Sequence, residues 1–380
     1  MATSDKLGYH PDFAVPPGET LAELLEVKGM AQADLARRMG RPLKTINEIV
    51  QGRAAITPLT ALQLEHVLGL PASFWNARER NFREALARLD ESSKLELSID
   101  WIKKFPVRGM MRWGWIGTTQ AELEQLRELL RFFGIASPAE WETLWARPQA
   151  AFRRSAVFRS DPAAVSAWLR QGERVAQGIE CAPFSRDSFL QMLFRARALT
   201  TTTPDVFCKV LSGDAAACGV AVVFVPELPK APISGVTRWL SPSKALIQLS
   251  FRYKTDDHLW FTFFHEAGHI VKHGKSAVFI EDSEESLEPE EQEANAFAAN
   301  LLLPADRYRA FAGRRTHFSK AAIRTFSQSV GVSPGIVVGR LQHDGRLPRT
   351  HCNDLKVRLR WRQPREAVSP PHGSLRSQEH

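Results

Sequence analysis

The sequence predicts an α+β protein that is mainly α-helical. Apolar residues recur at helical spacing through much of the first half, whereas short apolar runs at 219–225 and 245–250 have the length and residue types of strands. A length of 380 residues implies two or three domains. We therefore expect an all-α N-terminal domain at 14–80, a helical connecting region at 81–200, and a C-terminal domain with a small sheet at 201–350.

Composition and charge exclude several classes of protein. Hydrophobic residues make up 44% and charged residues 24% of the chain, as in soluble globular proteins. No apolar run approaches the roughly 20 residues that a bilayer requires, and residues 1–10 lack the apolar core of a signal peptide. We therefore expect a cytoplasmic protein without membrane contact. The four cysteines form no CxxC pair, and the net charge of +8 is consistent with contact to nucleic acid.

The N-terminal domain is predicted to contain short helices joined by tight turns. The first helix has an apolar face around Leu21–Leu25, and the second covers Ala31–Met39 and is closed by Gly40 in the turn. The third covers Pro42–Val50, because proline in the first turn of a helix loses no hydrogen bond. This succession is typical of a helix-turn-helix.

The third of these helices has the two faces that a DNA recognition helix needs. Ile46, Ile49 and Val50 form an apolar side that can pack, and the opposite polar side is free to enter the major groove. Asparagine and arginine read base edges there, whereas threonine and lysine mostly hold phosphates. The candidate DNA-contacting residues are Gln32, Arg41, Lys44, Thr45, Asn47 and Arg53.

Four strings in this region resemble the XRE-type domain of HigA-like antitoxins. They are Gly18–Leu21, Gln32–Ala36, Thr45–Thr57 and Ala61–Glu65. The resemblance covers about the first fifth of the chain. It implies binding to a double-stranded DNA operator, as a homodimer on paired half-sites.

The most informative motif of the chain is His265-Glu266-Ala267-Gly268-His269. Two histidines four positions apart lie on one face of a helix, so both imidazoles can reach a single ion. Glu266 lies between them and can take a proton from a water molecule that the ion makes more acidic, then pass it to a leaving amine. The motif therefore predicts a zinc hydrolase centre that needs no covalent intermediate.

A zinc hydrolase needs a third protein ligand and one open position, so we expect a carboxylate from a second helix. We prefer Glu291, because Asn295 follows one helical turn later and can hydrogen-bond a ligating histidine from outside. Glu293 is the alternative, only two positions away. His273 extends the face of the two histidines by another turn and is an alternative ligand or a surface histidine.

Three strands are predicted before this motif, at 219–225, 235–240 and 245–250. A sheet beside the histidine-bearing helix is expected to offer an edge along which an extended peptide adds as another strand. We expect the backbone amides of Leu246–Ser250 to make those contacts.

The segment 247–269, together with 291–304, resembles the ImmA/IrrE metallopeptidases, which occur beside or fused to XRE domains. The resemblance extends from about Val206 to Gly345 and implies a gluzincin-like domain. It implies that His265, His269 and Glu291 bind Zn²⁺ and that Glu266 is the catalytic base. Known members cleave transcriptional repressors, so the implied substrate is a regulatory protein. Ala267 departs from the family pattern, where leucine or isoleucine is commoner.

Together these features predict a DNA-binding transcriptional regulator with a zinc-dependent endopeptidase domain. The alternative is a transcription factor or antitoxin-like repressor that responds to a metal or effector without proteolysis. The Pro, Ser, His and Gly content of residues 363–380 predicts a disordered tail.

Overall fold

The chain forms two compact units, Met1–Ile99 and Asp100–His380, in the computed structural model. The predicted fold class is confirmed: the protein is mainly α-helical, with a small sheet in the second unit. The structure describes residues 14–146, 161–273, 279–281, 289–313, 317–362 and 375–377. No helix within these residues has the length and apolar character needed to cross a bilayer.

The first unit is a bundle of short helices followed by one long helix. Its helices are α1 Pro17–Val27, α2 Gln32–Met39, α3 Leu43–Val50, α4 Pro58–Leu68 and α5 Ala72–Glu96. Leu21, Leu35, Ile46 and Leu64 are completely buried and form the centre of its core. Helix α3 begins at Leu43, one residue later than predicted, so Pro42 is its N-cap residue and does not lie in its first turn. Helix α5 continues through residue 80, where the sequence suggested a domain limit.

The second unit combines a mixed sheet with many helices. Its helices are α6 Val107–Arg112, α7 Glu122–Phe133, α8 Pro138–Trp141, α9 Pro162–Gln177, α10 Arg186–Ala196, α11 Pro204–Ala216, α12 Asp256–Lys272, α13 Pro289–Leu302, α14 Ala305–Gly313, α15 Lys320–Val330 and α16 Pro334–His343. Its strands are β1 Val220–Phe224, β2 Gly235–Ser241, β3 Lys244–Leu249, β4 Phe279–Glu281, β5 Leu359–Trp361 and β6 Leu375–Ser377. Trp101, Phe105, Phe133 and Trp141 pack edge to face or tilted against one another, so the predicted connecting region uses these aromatic residues as core.

The main sheet has the strand order β1-β3-β2-β4. Strand β1 is parallel to β3, and β2 is antiparallel to both β3 and β4. Ile247 in β3 is therefore paired with Val222 on one side and with Thr237 on the other. The expectation that the Leu246–Ser250 amides form a free edge is wrong. This strand is buried along almost its whole length, as is usual for strands inside a sheet.

Helix α12 carries the histidine motif through the core of the second unit. Trp260, Phe263 and Phe264 are at most 1% exposed, which agrees with the prediction of a buried helix. The helix packs on β2 and β3 and also contacts α13 and α16. Its position is therefore fixed by packing on several sides.

The N-terminus of α12 is anchored by two aspartates in its first turn. Asp256 accepts hydrogen bonds from the hydroxyl of Ser333 at 2.5 Å and from the backbone N–H of Val357 at 2.9 Å. Asp257 forms a buried ion pair with Lys356 at 2.7 Å. Burial raises the pKa of Asp256 to about 7.

The predicted tail lies mostly outside the described residues. Of residues 363–380, the structure describes only 375–377, which form β6 and pair antiparallel with β5. The prediction of disorder for the rest of this segment stays a prediction.

Candidate metal centre and helix-turn-helix surface

The candidate metal centre is formed by two helices that approach closely. His265 and His269 lie one turn apart on α12, and Glu291 lies in the first turn of α13. Small residues face each other where the helices cross: a Cβ atom added to Gly268 would lie 3.2 Å from the Cα atom of Ala294. The small side chains in the two motifs therefore bring Glu291 to the histidines.

Three ligand-type atoms converge between these helices. The Nε2 atoms of His265 and His269 are 3.0 Å apart, and the carboxylate of Glu291 lies 3.1 Å from the first and 3.5 Å from the second. Nitrogen or oxygen ligands around a tetrahedral zinc ion are about 3.3 Å from one another, given metal–ligand distances of about 2.0–2.1 Å. The spacing and chemistry of the three donors therefore fit one divalent ion.

Electrostatics keep these groups in the forms that bind metals. Burial pushes the pKa of Glu291 upward, but hydrogen bonds from His265 and His269 outweigh this effect and bring the pKa to about 2. Burial lowers the pKa of His269, and the hydrogen bond to Glu291 offsets this only in part. An ionised carboxylate and a neutral imidazole are the forms that coordinate a metal ion.

The outer nitrogens of both histidines have hydrogen-bond partners. His265 Nδ1 lies 2.8 Å from the side-chain oxygen of Asn295, the residue that the sequence suggested for this role. His269 Nδ1 lies 3.1 Å from Nδ1 of His273. The carboxylate of Glu293, the alternative ligand, lies 3.4 Å from His273 Nε2. Glu291 rather than Glu293 is therefore grouped with the two histidines.

Glu266 is completely buried between α12 and strand β2. A Cβ atom at Gly235 would lie 2.9 Å from Oε1 of Glu266 and 2.5 Å from Cγ2 of Thr262, so only glycine leaves room for the carboxylate here. The hydroxyl of Thr237 donates to the backbone oxygen of Glu266 at 3.0 Å and ties the helix to the strand. Sequence analysis missed both β2 residues, because neither lies in a recognisable motif.

The candidate DNA surface lies on α3 and the turns around it. Ile46 and Ile49 are buried as predicted, whereas Lys44, Asn47 and Arg53 are exposed. Lys44 and Asn47 lie on the polar face that the sequence indicated, so α3 has one side that packs and one side that is exposed.

Three other candidates are partly buried: Gln32, Thr45 and Arg41. Arg41 donates from Nε to the side-chain oxygen of Gln63 at 2.6 Å, and the amide nitrogen of Gln63 donates to the Met39 carbonyl at 3.3 Å. Gln63 of α4 thus holds the Arg41 guanidinium at the turn between α2 and α3. Sequence analysis did not single out Gln63, because this contact joins residues distant along the chain.

Family models match both regions. Residues 21–75 match the helix-turn-helix model, and residues 220–342 match the Peptidase_M78 model, described as the IrrE N-terminal-like domain. The chain therefore contains one segment that is similar to each of these two domain families. Both predicted resemblances are thereby confirmed, and the IrrE N-terminal-like domain contains all residues of the candidate metal centre.

Solved structures match about a fifth of the chain. One is an addiction module antidote protein of the HigA family from Coxiella burnetii, at 28% identity over 22% of this chain and 91% of that chain, with a TM-score of 0.21. Another is the antitoxin HigA of Pseudomonas aeruginosa with the higBA promoter, at 27% identity over 22% and 92% of the two chains, with a TM-score of 0.21. A search of curated proteins found no match to this chain.

Proposed function

We propose that this protein is a DNA-binding transcriptional regulator whose IrrE N-terminal-like domain is a zinc-dependent endopeptidase acting on a regulatory protein. The convergence of His265, His269 and Glu291 is the observation that carries the proposal. Glu266, the residue next to His265 in α12, is completely buried. Together these groups provide three ligands and one acid or base, which are the protein components of metal-assisted peptide hydrolysis.

His265, His269 and Glu291 would hold Zn²⁺ in this mechanism, and a bound ion would supply Lewis-acid activation of the scissile carbonyl and of a water molecule. Glu266 would accept a proton from that water as the water oxygen bonds to the carbonyl carbon, and would deliver it to the amine nitrogen as the C–N bond breaks. Strand β2 holds Glu266 in place through Gly235 and Thr237, and the apolar residues of α12 keep bulk water away. His265 is oriented from outside by Asn295.

The helix-turn-helix unit supplies operator binding in this proposal. Lys44 and Thr45 would hold phosphates, and Asn47 would read a base edge in the major groove. Gln32, Arg41 and Arg53 complete the proposed surface. We propose that the protein binds double-stranded DNA as a homodimer, with one copy on each half-site.

The hydrolase is tested with the full-length, zinc-loaded chain and the proteins encoded by neighbouring genes. Intact mass spectrometry should detect cleavage of one of these proteins by the wild-type chain. A Glu266→Gln variant should cleave none of them, with unchanged zinc content and unchanged binding to the DNA upstream of its own gene. Equal cleavage by both forms would rule out the proposed role of Glu266, and no cleavage by either would favour a non-proteolytic regulator.

A further inference from the structure

A third histidine lies on the same face of α12 as the two proposed ligands. His265, His269 and His273 follow one another at intervals of four residues. The His273 side chain is only 9% exposed, although it lies at the end of the helix. Its Nδ1 atom is 3.1 Å from His269 Nδ1, and its Nε2 atom is 3.4 Å from the Glu293 carboxylate.

The position of one proton determines the hydrogen-bond directions along these contacts. His269 Nε2 points at His265 and Glu291, so an ion bound between them would replace the hydrogen bond from Nε2 to Glu291 and take the lone pair of this nitrogen. A neutral imidazole carries a single N–H group, which must then be at Nδ1. His269 therefore donates to Nδ1 of His273, and the remaining proton of His273 is at Nε2, where it faces Glu293.

The other proposed ligand is held by a different kind of acceptor. His265 Nδ1 faces the side-chain oxygen of Asn295 at 2.8 Å. An amide oxygen is always an acceptor, whereas a ring nitrogen of histidine is an acceptor in only one of its two neutral tautomers. His273 accepts at Nδ1 only in the tautomer with its proton at Nε2. A carboxylate at Nε2 selects this tautomer, which gives Glu293 a role although it does not reach the ligand atoms.

We propose that His273 and Glu293 are positioning residues that fix His269 as a metal ligand, His273 by direct contact and Glu293 through His273. The inference rests on the proposed function only in requiring a metal ion at His265, His269 and Glu291. Loss of such an outer hydrogen-bond partner typically weakens metal binding about 10- to 100-fold.

Two substitutions at position 273 separate hydrogen bonding from packing. His273→Leu fills the space but offers no acceptor to His269. In His273→Asn, the side-chain oxygen takes a position close to that of Nδ1, so the acceptor is kept. We expect Zn²⁺ affinity to fall about 10- to 100-fold for the leucine variant and to recover largely for the asparagine variant.

A second pair of variants tests Glu293 with little risk to folding, because its side chain is 63% exposed. Glu293→Ala should weaken Zn²⁺ binding in the same direction as His273→Leu, by a smaller factor. Glu290→Ala is the matched control, since it removes an exposed acid from the same helical turn of α13. It should leave the affinity at the wild-type value.

The experiment uses metal-free full-length protein. Zn²⁺ is titrated against a chromophoric chelator, and the visible absorption of the Co²⁺ form reports the geometry of the ligands. A weaker leucine variant with a shifted Co²⁺ spectrum, together with recovery by asparagine, supports the proposal. Equal affinities for wild type and leucine variant overturn it, as does an equal loss in both variants. If wild type itself binds neither metal, the proposed hydrolase fails as well.

Discussion

The two candidate sites of this chain are built in opposite ways. Lys44 and Asn47 are exposed on one face of α3, within a single short segment. His265, His269 and Glu291 come from two helices and are almost entirely removed from solvent. A surface that contacts DNA needs exposed side chains on a small rigid core, whereas metal ligands need burial and support from several elements. A substitution at the first site should therefore affect single DNA contacts, whereas the second site should also respond to substitution of residues that support the proposed ligands.

The largest difference between the sites is expected from Glu291→Gln. It replaces the carboxylate of a proposed ligand with an amide, so Zn²⁺ affinity should fall by more than the 10- to 100-fold typical of outer partners. Hydrolysis should be lost while DNA binding is retained. Metal analysis of the purified protein and a DNA-binding titration measure both effects. The control is Glu290→Gln, and a full complement of zinc in Glu291→Gln would remove Glu291 from the ligand set.

A pH-dependent difference is expected from Asp256, whose pKa is raised from 3.8 to about 7 by burial. The folded chain keeps a proton that the unfolded chain releases between about pH 4 and pH 7, so the free energy of unfolding should fall as the pH rises through this window. A pKa rise of this size corresponds to about 4 kcal/mol.

Asp256→Asn should remove this pH dependence, because its oxygen can still accept from the Val357 N–H and its NH₂ group can donate to Ser333. Urea titrations at several pH values, followed by tryptophan fluorescence, report mainly on the second unit, which contains nine of the ten tryptophans. Asp306→Asn, at an exposed position of α14, is the control. An unchanged slope in Asp256→Asn would show that other groups cause the pH dependence.

A smaller loss of activity is expected from Gly235→Ala. The added methyl group would meet Glu266 and Thr262, and displacement of a catalytic group by about 1 Å costs about 100-fold in rate. Zinc content should remain at the wild-type value, because the proposed ligands lie on α12 and α13. Gly213→Ala provides the same substitution in open space on α11. Full activity of Gly235→Ala would show that β2 does not position Glu266.

The smallest effect is expected on the exposed surface of α3. Lys44→Ala should weaken binding to all DNA sequences alike and reduce the slope of log affinity against log salt by about 1. Lys94→Ala is a matched control, since both lysines are exposed and face an acid four residues away. Zinc content should not change in either variant. An unchanged salt slope in Lys44→Ala would exclude a phosphate contact.

Much of the metal centre follows from local sequence pattern. Spacing alone places His265 and His269 on one helical face. The position of Asn295 one turn after Glu291 suggested Glu291 as the third ligand and Asn295 as a hydrogen-bond partner of a histidine. His265 and Asn295 are in hydrogen-bond contact, as the sequence predicted. The pattern did not decide whether Glu291 or Glu293 is the third ligand. Either carboxylate could reach the histidines, depending on how the two helices are rotated relative to each other. Whether these residues bind zinc stays a prediction.

Other features depend on contacts between distant segments. The position of β3 between β1 and β2 was missed, because a strand's neighbours are set by chain topology rather than by its own residues. Gly235 lies at the start of β2 and Glu266 lies in α12, with β3 between them along the chain, so no motif connects them. Gln63 and Arg41 are also distant along the chain, and no motif connects them.

The sequence by itself determined where the helix-turn-helix lies, where the three strands before α12 lie, and which side chains have the chemistry of a metal centre. These properties depend on periodicity and spacing within one element, where the backbone geometry is known in advance. Only the tertiary structure decided which carboxylate meets the histidines, which strand leaves room for Glu266, and what holds His269 from outside. Such contacts depend on the distance and angle at which whole elements pack. All side chains of the core together determine that distance and angle.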